Sequence, residues 1–207
     1  NVCTKSTMQT PKFGIIAALT KDGIIGCNGK LPWASIAQDR DHFVNTTRNK
    51  ILIVGRKTFA DEDQTGSHIK HVRVCIVVSR TIDASDLVSG KGHTKGPDVK
   101  LARTFDEALH LSRELSGNND LCKTDGDIDC WVAGGERIYR EALQHSNCQE
   151  VHLTHIDMTI RDQTSEEKSI AYFPIDCLTQ NGFEEVSRVN SGLCTFSVYK
   201  KQLPAKK

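Results

Sequence analysis

Five strand-length, mainly apolar runs constrain this chain more than any other feature. They are Phe13–Leu19 (FGIIAAL), Ile51–Val54, Val74–Val78, Ile128–Ala133 and Val151–Ile156. A strand with one wet face alternates apolar and polar residues. A continuous run marks a strand covered on both faces. Such a sheet needs helices on each side, and helical patterns lie between the runs. Ser35 with Gln38, and Thr104 with Glu107, have capping-box spacing. The second box opens a segment with Phe105, Ala108, Leu109 and Leu115 at helical spacing. A third helix is expected after Gly134-Gly135, with Ile138 and Ala142 on one side. Strands alternating with helices require a mostly parallel sheet with crossover connections.

The C-terminal part reads differently. Phe183–Val189 and Cys194–Tyr199 alternate around Asn190-Ser191-Gly192, which predicts an antiparallel hairpin at one edge of the sheet. The expected fold is α/β: a mostly parallel twisted sheet of about eight strands with this hairpin, flanked by about four helices. Loops are expected at 60–71, 86–98 and 157–171, the last polar and mobile. Residues 1–12 and 201–207 read as solvated tails around one domain, 13–200.

Composition narrows the function classes. A net charge of +1 gives no global pull toward nucleic acid or acidic lipid, so an anion site must be built locally. No apolar run approaches the ~20 residues that span a bilayer. The eight cysteines form no C-x-x-C pair and several sit in apolar runs, so reduced structural thiols are expected. His152 and His155 are three apart on a strand and point to opposite faces. His68 and His71 lack further ligands at zinc spacing, so no metal site is expected.

Candidate chemistry gathers at strand ends. Gly55-Arg56-Lys57-Thr58 follows the run ILIV, and Ser79-Arg80 follows Val78. Arg103 follows VKLA. Ligands of parallel sheets bind along that edge, and helix starts there favour phosphate. Taken singly, each cation is more often a solvated surface charge, and their repeated placement at strand ends brings the two readings level. Val132-Ala133-Gly134-Gly135-Glu136-Arg137 runs from strand through paired glycines into a helix, permitting close ligand approach. It is not the G-x-G-x-x-G fingerprint, and a lone glycine pair is often just a turn. Asp39 lies one helical turn before Phe43, which puts a carboxylate and a ring on one face. With Arg40 and Asp41 beside it, Asp39 could also be a plain exposed acid.

Taken in order, these segments resemble dihydrofolate reductase. The matching pieces are IIAAL at 15–19, IIG at 24–26, LPW at 31–33, Asp39 with Phe43, and GRKTF at 55–59. Further on come Arg73 before CIVVSR, GGERIY at 134–139, LTHID at 153–157 and YFP at 172–174. The resemblance implies NADPH as cofactor, dihydrofolate as substrate and antifolates as inhibitors. It also implies a cytoplasmic, monomeric enzyme of one-carbon metabolism with no nucleic-acid or membrane partner. Asp39 matches the acid that holds the pteridine, and Thr154 the hydroxyl that supports it. Ile16, Ala17, Leu31, Phe43, Ala133 and Tyr139 match the substrate pocket, and Trp33 the tryptophan beside the acid. Arg73 matches the arginine on the glutamate tail. Ala18, Ile25 and Gly26 match the nicotinamide side. Gly55, Arg56, Lys57, Thr58, Val78, Ser79, Arg80 and Arg103 match the nucleotide side. Gly134, Gly135, Glu136, Arg137, Ile138 and Tyr139 match the turn and helix beside the cofactor, where the glycine pair is typically cis. The stretch Gly26–Leu31 matches the lid.

Three places depart from that pattern. Arg40 stands where a large apolar residue is usual, and is expected to swing to solvent or meet the glutamate tail. The stretch after Phe59 and the stretch 157–171 are longer than usual. Two other readings compete. A pyrimidine reductase of riboflavin synthesis is disfavoured by Asp39, Arg73 and Thr154. A non-catalytic folate- or nucleotide-binding module is disfavoured by Asp39 together with the basic cluster.

Overall fold

A computed structural model describes residues 11–65, 69–83, 85, 87, 97–116, 128–160 and 169–202. The five apolar runs become strands β1 (Phe13–Thr20), β3 (Ile51–Gly55), β4 (Val74–Val78), β6 (Cys130–Val132) and β7 (Cys148–Ile156). VKLA falls within β5 (Asp98–Ala102), and the predicted hairpin is β9 (Phe183–Ser191) with β10 (Cys194–Lys201). The large sheet has the order β5-β4-β3-β6-β1-β7-β10-β9. The first six strands run parallel. Strand β10 is antiparallel to both its neighbours. Five helices are described over their full length: α1 (Ala37–Thr47), α2 (Arg56–Thr65), α3 (Phe105–Ser116), α4 (Glu136–Gln144) and α5 (Asp176–Gln180).

Strand alternation sorts the core into two layers. On one face Ile15, Ile53, Ile76, Val132 and Leu153 meet Phe105 and Leu109 of α3 and Leu143 of α4. On the other face Ile16, Leu52, Val54, Val77 and Trp131 meet Phe43 of α1 and Phe59 of α2. The Trp131 ring lies over Gly14 so closely that a Cβ there would stand 2.6–2.9 Å from three ring carbons. Gly14→Ala should therefore destabilise the fold by about 1–3 kcal/mol through overpacking. Thermal unfolding checks this, and an unchanged midpoint would contradict the packing account.

Half of the Thr104 box forms. The Glu107 N–H donates to Thr104 Oγ1 at 3.1 Å, while Glu107 Oε2 accepts from the Arg103 N–H, one residue earlier, at 2.7 Å. The Ser35 box does not form. Helix α1 starts at Ala37 with Ile36 as an N-cap that makes no side-chain cap bond. Ser35 Oγ instead accepts from the Arg40 guanidinium at 3.5 Å. Arg40 is thus drawn outward, to the surface beside Asp41.

Two loop expectations need correction. Helix α2 continues to Thr65, so 60–65 is helical, while 66–68 lie outside the described residues. The end of the third stretch forms β8 (Ile170–Tyr172), which pairs antiparallel with β2 (Ile24–Cys27) in a small second sheet. Most of 86–98, the stretch 161–168, and 1–10 and 203–207 of the outer tails fall outside the described residues, while Lys201 closes β10. No helix among the described residues is long and apolar enough to cross a membrane. All six described cysteines are free thiols. Burial pushes Cys130 and Cys148 up to about 12, which keeps them neutral and inert.

Candidate active site

The carboxyl ends of β3, β6 and β1 converge on the paired glycines. The Gly55 N–H donates to Gly134 O at 2.7 Å, and the Ala133 N–H to Ile53 O at 3.0 Å. The Gly134-Gly135 peptide is cis, with Gly134 at φ +124°. A side chain does not fit here: a Cβ on Gly134 would stand 3.1 Å from Thr58 Oγ1 and 3.4 Å from the Tyr139 hydroxyl. Tyr139 belongs to the α4 layer, yet its hydroxyl donates to Ile16 O at 2.9 Å. A Cβ on Gly55 would touch Gly135 N and Ile138 Cγ1 at 3.4 Å. Thus Gly55, Thr58, Gly134, Gly135, Ile138, Tyr139 and Ile16 form one cradle. Gly135 is the N-cap of α4, so that helix opens at the same edge.

Cations line the adjoining strand ends. Arg56 and Lys57 are exposed at the start of α2, directly after β3. Arg80 is exposed beyond β4, next to buried Val78 and Ser79. Ser79 Oγ accepts from the Thr81 N–H at 3.3 Å. Arg103 is exposed beyond β5, but its guanidinium donates to Ile82 O and pairs with Asp83 at 3.0 Å. Arg137 pairs with Glu141 at 2.7 Å, and Glu136 Oε2 accepts the Tyr172 N–H at 3.0 Å. Of the expected cofactor cations, Arg56, Lys57 and Arg80 keep their charge unpaired among the described residues. Three cations beside a glycine cradle at the carboxyl edge fit the phosphates of a dinucleotide.

The second layer is an apolar cluster on the α1 side. Ile16, Leu52, Val54 and Trp131 are buried in it, with Phe43, Phe59 and Ala133 packed against them. Ala17 does not reach it, because its side chain belongs to the opposite layer. Ile25 also packs on that opposite layer. Ala18 and Gly26 are half-buried. Asp39 lies in the first turn of α1 and is half-buried. Burial, and then the Asp39 carboxylate, push the Cys194 thiol up, while a hydrogen bond to the Asp39 backbone opposes them. A Cβ on Gly192 would lie 3.6 Å from Gln38 Nε2. The start of α1 therefore rests on the β9–β10 hairpin, where β7 ends. Thr154 is 1% exposed there and stands in register with Ala18 and Phe196. Leu31, 50% exposed, and half-buried Trp33 precede the helix.

The stretch Gly26–Leu31 is tied down from the side. Asn28 sits at φ 52°, and its N–H donates to Ser169 O at 2.8 Å. Asn28 Oδ1 accepts the Ser169 N–H in return at 3.0 Å. Asp22 Oδ2 accepts the Ile160 N–H, and Lys21 pairs with Asp157.

A ring cluster below Asp39 was not singled out in the sequence. His42 lies 4.7 Å from Phe196 and 5.8 Å from His152, and Trp131 lies 4.8 Å from His152, between ring centroids. The signal was available: His42 is three residues after Asp39, and β7 alternation puts His152 on the Thr154 face. Burial, then the neighbouring His152, hold His42 below its ordinary range. Burial also lowers His145 and His155. In the folded state these rings bind protons less readily than in the unfolded chain. Their stability contribution is thus complete above the unfolded value of about 6.5, and is lost as pH falls through the lowered folded values. The thermal midpoint should fall between pH 7.5 and pH 5, and His42→Phe should shrink that fall. An equal fall in the variant would contradict this.

Fold and edge together define the class: an open α/β domain whose ligands lie along the carboxyl edge of the sheet. The sequence profile described as dihydrofolate reductase matches residues 12–200, and the chain belongs to the dihydrofolate reductase family. A dihydrofolate reductase of Sus scrofa is 27% identical over 203 residues, covering 90% of this chain and 96% of the relative. One of Aedes albopictus is 27% identical over 155 residues, covering 72% and 75%. A bifunctional dihydrofolate reductase-thymidylate synthase of Acanthamoeba polyphaga mimivirus is 30% identical over 176 residues, which is 79% of this chain. The chain spans only 28% of that longer relative. The family implies a nicotinamide cofactor, and the cradle with its cations suits one.

Proposed function

We propose that the chain reduces 7,8-dihydrofolate to 5,6,7,8-tetrahydrofolate with NADPH, through the domain 13–200. The observation that carries this reading is the half-buried carboxylate of Asp39 at the start of α1, the helix whose Phe43 packs on an apolar layer that includes Ile16 of the glycine cradle. The bound nicotinamide supplies hydride to C6 of the pterin. Gly55, Gly134 and Gly135 would let backbone approach the dinucleotide, and Arg56, Lys57 and Arg80 would hold its phosphates. Asp39 would accept hydrogen bonds from the pterin amino group and ring nitrogen, with Thr154 supporting it. It stays ionised and favours the pterin that gains a proton at N5 from water, rather than giving up a proton itself. Leu31 is exposed enough to flank the path of that water, and Trp33 would stand beside Asp39. Ile16 and Phe43 would clamp the ring, and the lid Gly26–Leu31 would exclude bulk solvent.

On this reading the enzyme acts as a cytoplasmic monomer and binds antifolates at the same site. Loss of NADPH absorbance that depends on dihydrofolate supports it. Binding of both ligands without turnover would leave only a binding module.

A further inference from the structure

We infer that His42 is a positioning residue for the proposed reduction: its uncharged ring seats the start of α1 on β10, and its protonation opposes the charge of Asp39 and so sets an acid limit on turnover. The inference rests on the role proposed above for Asp39. Helix α1 lies along β10. The Asp39 carboxylate and a hydrogen bond to the Asp39 backbone both act on the Cys194 thiol. The His42 ring lies 4.7 Å from the Phe196 ring, between centroids. Cys194 and Phe196 are two apart on one strand, so they share a face. Asp39 and His42 are three apart on one helix, so they share a face as well. The two side chains therefore follow one another along β10. Phe196 stands in register with Thr154, the hydroxyl proposed to support Asp39. His42 is thus one helical turn below the carboxylate.

The other charged groups near the ring come from the strands beneath it. His152 of β7 stacks on His42 at 5.8 Å and 22°. Glu150 Oε1 lies 3.3 Å from His152 Nε2, and Lys200 Nζ of β10 lies 3.7 Å from Glu150 Oε2. From β6 the uncharged Trp131 meets His152 at 4.8 Å. On α1 itself Arg40 and Asp41 pair at the surface. Along the helix His42 meets the charge of Asp39, and across the strands it meets His152 with Glu150 and Lys200. Burial, then His152, keep His42 neutral at pH 7, so it adds no charge to that of Asp39. As pH falls the ring takes a proton, and a cation one turn away offsets part of the carboxylate's field. Both groups are half-buried, so solvent screens that interaction only in part. N5 of the pterin is then harder to protonate in the range where acidity should favour it.

The test compares the parent with His42→Phe, which keeps a ring against Phe196 and His152 and cannot take a charge. The hydride step is followed by stopped flow with NADPH and dihydrofolate between about pH 5 and pH 8, where a histidine changes charge. Rates are taken per site counted by methotrexate titration, with circular dichroism confirming the fold at each pH. Both proteins should speed up as pH falls, and the parent should bend over in the acid range. The rate at pH 5 relative to that at pH 7.5 should be about three- to tenfold larger in the variant, tenfold being one pKa unit of charge interaction. A merely structural ring would not move this ratio. Coupling is reciprocal, so an NMR titration of the parent gives a readout without turnover. Methotrexate would set a pteridine cation against Asp39, and His42 should then titrate lower by about 0.5 pH unit or more. Exposed His110 on α3 should not respond. If the phenylalanine variant does not fold, His42→Tyr serves with the same expectations. Equal ratios in parent and variant, or a His42 titration indifferent to bound methotrexate, overturn the inference. A parent protein that neither binds methotrexate nor turns over dihydrofolate overturns the proposed function instead.

Discussion

Asp39→Asn should leave the fold and NADPH binding nearly unchanged while turnover of dihydrofolate falls about 10²–10³-fold. Fixed charge aimed at a developing charge commonly supplies a barrier reduction of that size. Asparagine has nearly the shape of aspartate, so packing at the start of α1 is kept. What is lost is the negative charge that favours a protonated pterin. Asp39 is half-buried against the hairpin and close to Cys194, so its field is only partly screened by solvent. The loss should appear in kcat at saturating substrate, because the charge acts more strongly on the protonated species than on the neutral one. Raising the acidity should recover part of it, since protonation of N5 then needs less help. A variant with parental turnover at neutral pH would remove Asp39 from the mechanism.

The second large effect concerns the cofactor. Arg56→Ala combined with Arg80→Ala should raise the KM for NADPH about 100-fold and leave that for NADH within about threefold. A charge-assisted hydrogen bond contributes roughly 1.5–3 kcal/mol, and Arg56 and Arg80 are proposed to hold the 2′-phosphate that NADPH carries and NADH lacks, so two such bonds are removed. Both residues are exposed at neighbouring strand ends, so the fold should not notice. Arg103 is left out because Asp83 already holds its guanidinium. Equal constants for the two cofactors in the parent protein would contradict the assignment.

The sheet was readable chiefly because β1, β3 and β4 are buried parallel strands written as continuous apolar runs, a signal that needs no partner to recognise. The Thr104 cap was readable because its bonds close within four residues. Strands β2 and β8 were not. IIGC and IAY are too short to carry a period, and they exist because they pair with each other. The polar residues 60–65 have no apolar stripe, so periodicity misread that part of α2 as a loop. At Ser35 the local signal was real but lost to Arg40, which takes the hydroxyl.

The site divides along the same line. The cations and glycines were legible as strand-end residues, since a parallel sheet puts all such ends on one edge. Asp39 was legible only through the ordered set of segments, because Arg40 and Asp41 make its own helix face ambiguous. The pairing of Arg73 with Asp129 joins residues 56 apart, and nothing local announces it. The same holds for Arg103 with Asp83, and for the ring cluster of His42, His152, Trp131 and Phe196.

Titration with methotrexate, followed by the fluorescence of Trp33 and Trp131, tests the role of Asp39 most directly. Trp131 is buried in the apolar layer that faces α1, and Trp33 precedes the helix that carries Asp39. One-to-one quenching should appear, tighten when NADPH is present, and weaken about 100-fold or more in the Asp39→Asn variant. Quenching of equal affinity in parent and variant would show that the carboxylate does not hold the diaminopteridine, and the proposed mechanism would fail with it.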